Sequence, residues 1–106
     1  MKLSNVQKMQ RDFYLQEFRF KGGKIFRDSF IGLTVCVKPA LNIPNPKFYY
    51  ISTAQCDFVD DGFKRKRGEF IALERMHLNM CCIVPANGRS IDEIGLDALE
   101  FFSINY

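Results

Sequence analysis

The residues best suited to chemistry form one dense basic run in the second half of the chain. Four consecutive basic residues are followed by a glycine, and a further arginine lies two helical turns later. Cationic side chains near the start of a helix bind phosphates, and a glycine there lets a ligand approach the backbone closely. The run therefore predicts a ligand-binding or partner-binding site formed by Lys64, Arg65, Lys66, Arg67, Gly68 and Arg75.

A solvated charge cluster is the alternative interpretation of the same run. Asp57, Asp60 and Asp61 stand just upstream and would partly neutralise it. Both Asp60 and Asp61 also suit the start of a helix, where a carboxylate accepts free backbone N–H groups. The formal net charge of +3 is mild, so it permits an anionic partner without requiring one.

Catalytic and metal-binding signatures are weak throughout. His77, the one histidine, stands four residues before Cys81 and could serve it or Cys56 as a base, but no oxyanion-hole motif accompanies them. Structural zinc sites have closely spaced ligand pairs, and this chain has none. We therefore expect a protein that is not an enzyme, with no catalytic residue, no metal and no cofactor.

The four cysteines lie at positions 36, 56, 81 and 82, without a C-x-x-C spacing. This distribution is typical of reduced core thiols in a cytosolic protein. No apolar run approaches the roughly 20 residues that a membrane span requires, and the first residues lack the apolar core of a signal peptide. The length of 106 residues indicates a single domain over residues 1–106. The cysteine distribution and the lack of an apolar leader or span together predict a cytoplasmic protein.

The elements that position these residues begin with a short helix. Ser4 and Gln7 form a capping-box pattern, which predicts a helix over residues 5–13 with Lys8 and Arg11 in solvent. Phenylalanines then alternate with charged residues over 17–21, a period typical of a strand. Two glycines follow at 22 and 23, so we expect a hairpin there with a return strand over 24–27.

The middle of the chain predicts the centre of a sheet. Residues 30–37 are almost all apolar, which suits a strand buried on both faces. A proline-rich loop leads to a second strand over 48–56, expected to pair antiparallel with the first.

The last third predicts a helix through the basic run, a short strand and a final helix. Gly68 lies inside the first of these helices or near its start. A short apolar strand over 80–84 precedes an Asn87-Gly88 turn, and Ser90 with Glu93 caps the final helix. We expect an α+β fold, in which a small, mostly antiparallel sheet of four to five strands has two main helices packed on one face.

Aromatic residues also stand next to basic residues in two strand-like segments, 18–21 and 47–50. Exposed side chains of this kind stack on single-stranded nucleic acid, so nucleic-acid binding is one hypothesis. The aromatic tail over 101–106 and the proline-rich loop could instead form a protein-binding surface or a contact between copies of the chain.

The segment from Ala54 to Arg75 resembles a pattern found in small bacteriophage accessory proteins. The pattern is A-x-C, then D-x-F-x-R-K-x-G-R, then I-A-x-x-R, and it is matched by Arg65, Lys66, Gly68 and Arg75. The arrangement of basic residues is similar to that of anti-Thoeris sponges, phage proteins that sequester cyclic ADP-ribose-type signals. Glu69 stands where the pattern has arginine, which is compatible with a relative that binds a host protein.

This resemblance implies a phage protein that acts in the cytoplasm of its bacterial host. We expect it to bind and inhibit a host protein, either a defence protein or a nucleic-acid-processing enzyme. The alternatives are a sponge for a cyclic nucleotide immune signal and a nucleic-acid-binding protein. Membrane binding is not expected, and self-association is left open.

Overall fold

The computed structural model describes residues 4–28, 30–40, 44–55 and 65–104. Three helices and four strands lie in these ranges. In chain order they are α1 (Asn5–Phe20), β1 (Lys24–Asp28), β2 (Leu33–Pro39), β3 (Phe48–Gln55), α2 (Arg65–His77), β4 (Cys82–Pro85) and α3 (Ile91–Ile104). The predictions for Cys56, Asp57, Asp60, Asp61 and the tail residues 105–106 lie outside the described part of the chain.

The four strands form one antiparallel sheet in the order β1-β2-β3-β4. Each strand pairs with the strand that follows it in the chain, so each chain connection joins two strands that are adjacent in the sheet. Val37 pairs with Lys24 on one side and with Ile51 on the other, which fixes the register of the two central strands. The expected α+β class and the antiparallel pairing of β2 with β3 are confirmed.

Strand β2 is buried on both faces, as its continuous apolar sequence predicts. Val35 and Val37 belong to one core cluster, together with residues of α3. Cys36 points the other way into a second cluster that contains residues of α1 and α2. Because adjacent residues of a strand face opposite sides of the sheet, α1 and α2 cover one face and α3 covers the other.

This arrangement differs from the expectation that both main helices pack on one face. The helix through the basic run and the final helix lie on opposite sides of the sheet. The physical reason is in β2 itself, since a strand with apolar side chains on both sides needs cover on both sides. The resulting molecule has three layers, with the sheet between one helix and a pair of helices.

Helix α1 is longer than predicted and ends where a hairpin was expected. Gly22 has φ +84°, and its N–H donates to the carbonyl of Arg19. The N–H of Gly23 donates to the carbonyl of Phe18, which completes the paired hydrogen bonds of a Schellman motif. The two glycines therefore end a helix, and the predicted strand over 17–21 is wrong. A Cβ atom on Gly23 would also lie 2.4 Å from the Phe18 ring.

The ends of the other helices follow local chemistry. Asn79 has φ +60° and occupies the left-handed position after α2, where the N–H of Met80 donates to the carbonyl of Arg75. Ser90 and Glu93 exchange the predicted capping-box hydrogen bonds at the start of α3. Ser4 and Gln7 do the same for α1. Within the described ranges, no helix has the length and apolar character needed to cross a membrane.

Candidate functional site

The predicted basic site lies across the start of α2. Arg65 and Lys66 stand in its first turn, whereas Lys64 lies outside the described residues. Arg67 is half-buried, and Gly68 is buried. The side of the helix at Gly68 therefore faces the interior of the protein, where a residue without a side chain lets other groups pack closely.

Arg75 is the other basic residue predicted to belong to this site. Its Nη1 donates a hydrogen bond of 2.6 Å to the backbone carbonyl of Thr53, at the end of β3. Eight residues separate Arg67 from Arg75, which is about 12 Å along a helix axis. The two arginines therefore occupy different parts of α2, and Arg75 attaches the helix to the sheet beneath it.

Glu69 is a charged residue of α2 that contacts two other elements of the fold. It is only 7 % exposed, and its carboxylate lies between two arginines from other elements. Arg11 of α1 donates from Nη1 to Oε2 at 3.3 Å, and Arg27 of β1 pairs with Oε1. The expectation that Arg11 lies in solvent is wrong, because its guanidinium turns inward to this carboxylate. A carboxylate in the interior is stable only with such partners.

A second polar cluster lies at the other end of α2, around His77. The His77 ring stacks on Tyr14 with 4.6 Å between centroids, and its Nδ1 is 3.7 Å from Oε1 of Glu17. Lys21 donates to the same carboxylate oxygen at 3.0 Å. This hydrogen bond from Lys21 is the main reason why the pKa of Glu17 is lowered. The cluster thus joins α1 to the end of α2 by ring stacking and by the approach of His77 Nδ1 to the Glu17 carboxylate.

Cys36 and Cys81 have the opposite environment from that of a catalytic nucleophile. Burial raises the pKa of Cys36 to about 12, and partial burial raises the pKa of Cys81. Reactive cysteines have lowered pKa values because a nearby cation or helix N-terminus stabilises the thiolate. Among the residues that the structure describes, no three His, Cys, Asp or Glu side chains come close enough together to hold a metal ion.

The segment that runs from the end of α2 into β4 presents an apolar surface that sequence reasoning missed. Leu78, Met80 and Ile83 are each more than half exposed, although all three are large and apolar. Continuing the helical period of α2 past His77 would place Leu78 and Met80 on its apolar side. The helix ends at His77, so Leu78 and Met80 no longer follow its 3.6-residue period, and their side chains project into solvent. The signal available in the sequence was Asn79, a residue type that commonly ends helices.

Ile83 is also the end of a row of side chains across the sheet. Lys38 of β2 is paired with Tyr50 of β3, and Tyr50 is paired with Ile83 of β4. The Lys38 ammonium lies 5.7 Å from the centroid of the Tyr50 ring. Burial and the nearby charge of Lys21 both lower the pKa of Lys38. A cation, an aromatic ring and an exposed aliphatic side chain therefore follow one another towards the edge strand.

We define Lys38, Tyr50, Leu78, Met80 and Ile83 as the α2–β4 surface.

Two of the concave regions that the described residues form lie on the α3 side of the sheet. The smaller has a volume of about 280 Å³ and opens between α3 and strands β3 and β4. It is lined by Ile51, Cys82, Val84, Arg89, Ile94, Asp97, Ala98, Phe101 and Phe102. Arg89 donates to Asp97 at 2.7 Å, so the charges in this lining pair with each other. A wider hollow of about 780 Å³ lies between the turn that precedes β3 and the start of α3.

Comparisons with models of protein families, with curated proteins and with solved structures found no match to this chain.

Proposed function

We propose that this chain is a non-enzymatic binding protein that attaches to a host protein through the α2–β4 surface. Its support is one observation, the exposure of Leu78, Met80 and Ile83 on one short segment beside an edge strand. Large apolar side chains grouped on a surface are typical of protein-binding sites. In this proposal the host is a bacterium, the chain comes from a phage, and binding inhibits a defence or nucleic-acid-processing protein.

The composition of the α2–β4 surface favours a protein over a small molecule. Interface centres are enriched in aromatic residues and methionine, with charged residues around them. Tyr50 and Met80 supply the first kind, while Lys38 and the Glu17–Lys21 pair supply the second. The partner that complements this surface has an apolar centre and acidic groups placed to meet Lys38. Such contact needs no cleft and no reacting group.

A sponge for a cyclic nucleotide is the competing proposal, because the basic run resembles that of the sponge proteins. It requires several cations directed at one set of phosphates. Against it, Arg75 donates to a backbone carbonyl, and Glu69 places a negative charge within the same helix. Nucleic-acid binding by the same basic residues has the same requirement and would weaken steeply with added salt.

The test is capture of a partner from nuclease-treated lysate of the host bacterium, followed by a direct binding assay with the purified partner. Met80→Glu and Ile83→Glu place a charge in the centre of the α2–β4 surface, so each is expected to weaken binding at least about tenfold. The matched control is Leu96→Glu, which changes an equally exposed apolar residue on α3. It is expected to leave binding unchanged.

Charge reversal of the basic run separates the protein-partner proposal from the two proposals that need an anion-binding site. Arg65→Glu combined with Arg67→Glu should preserve capture of the protein partner. Loss of capture together with loss of a co-purifying nucleotide would instead establish the sponge. Equal effects of Met80→Glu and Leu96→Glu on binding would contradict the assignment of the α2–β4 surface.

A further inference from the structure

Helix α1 carries a second apolar surface, on the side that faces solvent. Val6, Met9, Phe13 and Phe20 are between 58 and 85 % exposed, whereas the helix buries Phe18 on its other side. Their spacing is three, four and seven residues. With Gln16 they occupy five successive a and d positions of a heptad repeat, the pattern by which one helix packs along another.

The stripe lies nearly opposite the side of α1 that faces the protein. At 100° per residue its five positions fall within a sector of about 80°. Phe18, which is buried, and Arg11, which binds Glu69, lie on the far side of the helix. The core therefore does not account for Val6, Met9 and Phe20. Phe13 meets the His77 ring of α2 edge-on, with 6.2 Å between centroids, and is still 58 % exposed. Packing against α2 already stabilises α1, so a seam of two heptads does not need to stabilise an isolated helix.

The charges beside the stripe suit a second copy of the same helix in one orientation. Asp12 and Arg19 occupy the g positions, and Glu17 occupies an e position. Within one copy, Asp12 also contacts Arg11 at 3.2 Å and Glu17 contacts Lys21 at 3.0 Å, and both carboxylates stay at the surface beside the stripe. In an antiparallel pair the g positions of the two helices meet, so Asp12 of one copy lies beside Arg19 of the other. In a parallel pair g meets e, which would place Asp12 beside Glu17 of the other copy, and these like charges repel.

We propose that two copies of this protein associate through α1, antiparallel about a two-fold axis, with Met9, Phe13 and Phe20 in the seam. The alignment that pairs Asp12 with Arg19 sets Met9 beside Phe20 of the other copy and Phe13 beside Gln16. Val6 then lies level with the turn that follows the partner's helix. A two-fold axis makes every contact occur twice, so one short stripe supplies both halves of the interface.

The size of the stripe predicts a weak, concentration-dependent dimer. Burying Met9, Phe13 and Phe20 from both copies removes on the order of 600–1,000 Å² from water. That area is below the range of stable complexes, so monomer and dimer should exchange. The inference does not depend on the α2–β4 surface, because none of the seam residues belongs to it.

Sedimentation equilibrium over about 1–500 µM tests the proposal with the whole protein. The wild type should shift from monomer to dimer across this range. Phe13→Glu should raise the dissociation constant of the dimer at least about tenfold, because two carboxylates would enter the seam. Val6→Glu should have a smaller effect, and Leu96→Glu on α3 should have none. Circular dichroism confirms that each variant is folded.

Charge exchange tests the orientation of the two helices. Asp12→Arg places two arginines beside each other in an antiparallel pair and should weaken the dimer, whereas it would strengthen a parallel one. Arg19→Asp added to Asp12→Arg should restore the association. A wild type that stays monomeric throughout, or a Phe13→Glu variant that associates as well as the wild type, would overturn the proposal.

Discussion

At the scale of single residues, Glu69 shows how position changes the meaning of a side chain. In the sequence it is an acidic interruption of a basic segment. In the structure its carboxylate is buried between Arg11 and Arg27, so one residue joins α2 to α1 and β1. A buried carboxylate of this kind holds elements in place, and it is costly to leave its partners without it.

Replacing Glu69 with Gln should therefore destabilise the protein. The amide keeps the shape of the side chain but removes the buried negative charge that Arg11 and Arg27 both contact. We expect a loss of about 2–4 kcal/mol in the free energy of unfolding, measured by urea denaturation. Glu74→Gln on the same helix is the matched control and should cost little. A loss below that of the control would contradict the role of Glu69.

The cysteines should differ sharply in reactivity with an aromatic disulfide reagent at pH 8. Cys82 is exposed, whereas Cys36 is fully buried and its pKa is raised to about 12. Because a raised pKa leaves almost no thiolate at pH 8, Cys36 should react only after unfolding in urea. Single-cysteine variants that retain one or the other thiol give the two rates. Equal rates in the folded protein would show that Cys36 is accessible.

At the scale of elements, glycines decide where helices end and how closely they approach the sheet. Gly22 and Gly23 end α1, and Gly95 lies where α3 crosses Phe26 of β1. A Cβ atom on Gly95 would lie 2.2 Å from the Phe26 ring, closer than two carbons can approach. The glycine that weakens α3 as a helix is thus the residue that lets it pack.

Gly95→Ala should consequently lower stability, although alanine has the better helix propensity by about 1 kcal/mol. We expect a net loss of about 1–3 kcal/mol, because the ring or the helix must move. Thermal and urea denaturation measure this loss. Phe26→Leu makes room for the added methyl group, so its cost and that of Gly95→Ala should be less than additive. Stabilisation by Gly95→Ala alone would contradict the close contact.

At the scale of the whole molecule, the sheet lies between two layers of helices, and its protection from solvent is uneven. Val35, Cys36 and Val37 of β2 have no exposed surface, whereas β4 is an edge strand with mostly exposed side chains. The buried part of β2 is the centre of the core, and the exposed side chains of β4 lie at the edge of the sheet, where the α2–β4 surface is. The proposed partner surface and the proposed seam on α1 both lie outside that centre.

Hydrogen exchange should follow the same division. Amides of β2 are expected to exchange only through global unfolding, whereas those of β4 should exchange through local opening. Their protection factors should therefore differ by at least about a hundredfold. Mass spectrometry of peptides from the two strands measures this difference. Protection of β4 as strong as that of β2 would show that the edge strand is not separately mobile.

The sequence by itself determined the features that depend on neighbouring residues. Capping boxes at Ser4 and Ser90 marked two helix starts correctly, because the hydrogen bonds that they form are local. The continuous apolar run of β2 likewise predicted a strand buried on both faces. Local alternation failed over 17–21, where two phenylalanines suggested a strand, because the final turn of α1 is held by the Gly22-Gly23 motif and by packing of Phe18.

Only the tertiary structure decided which charged and apolar residues face solvent. Arg11 and Arg75 are cations in the sequence, but one binds a buried carboxylate and the other a backbone carbonyl. Leu78 and Met80 continue an apolar pattern, yet they project outward because α2 ends before them. The reason is common to all four residues. Solvent exposure depends on where distant segments of the chain meet, and the spacing of residues along one segment does not contain that information.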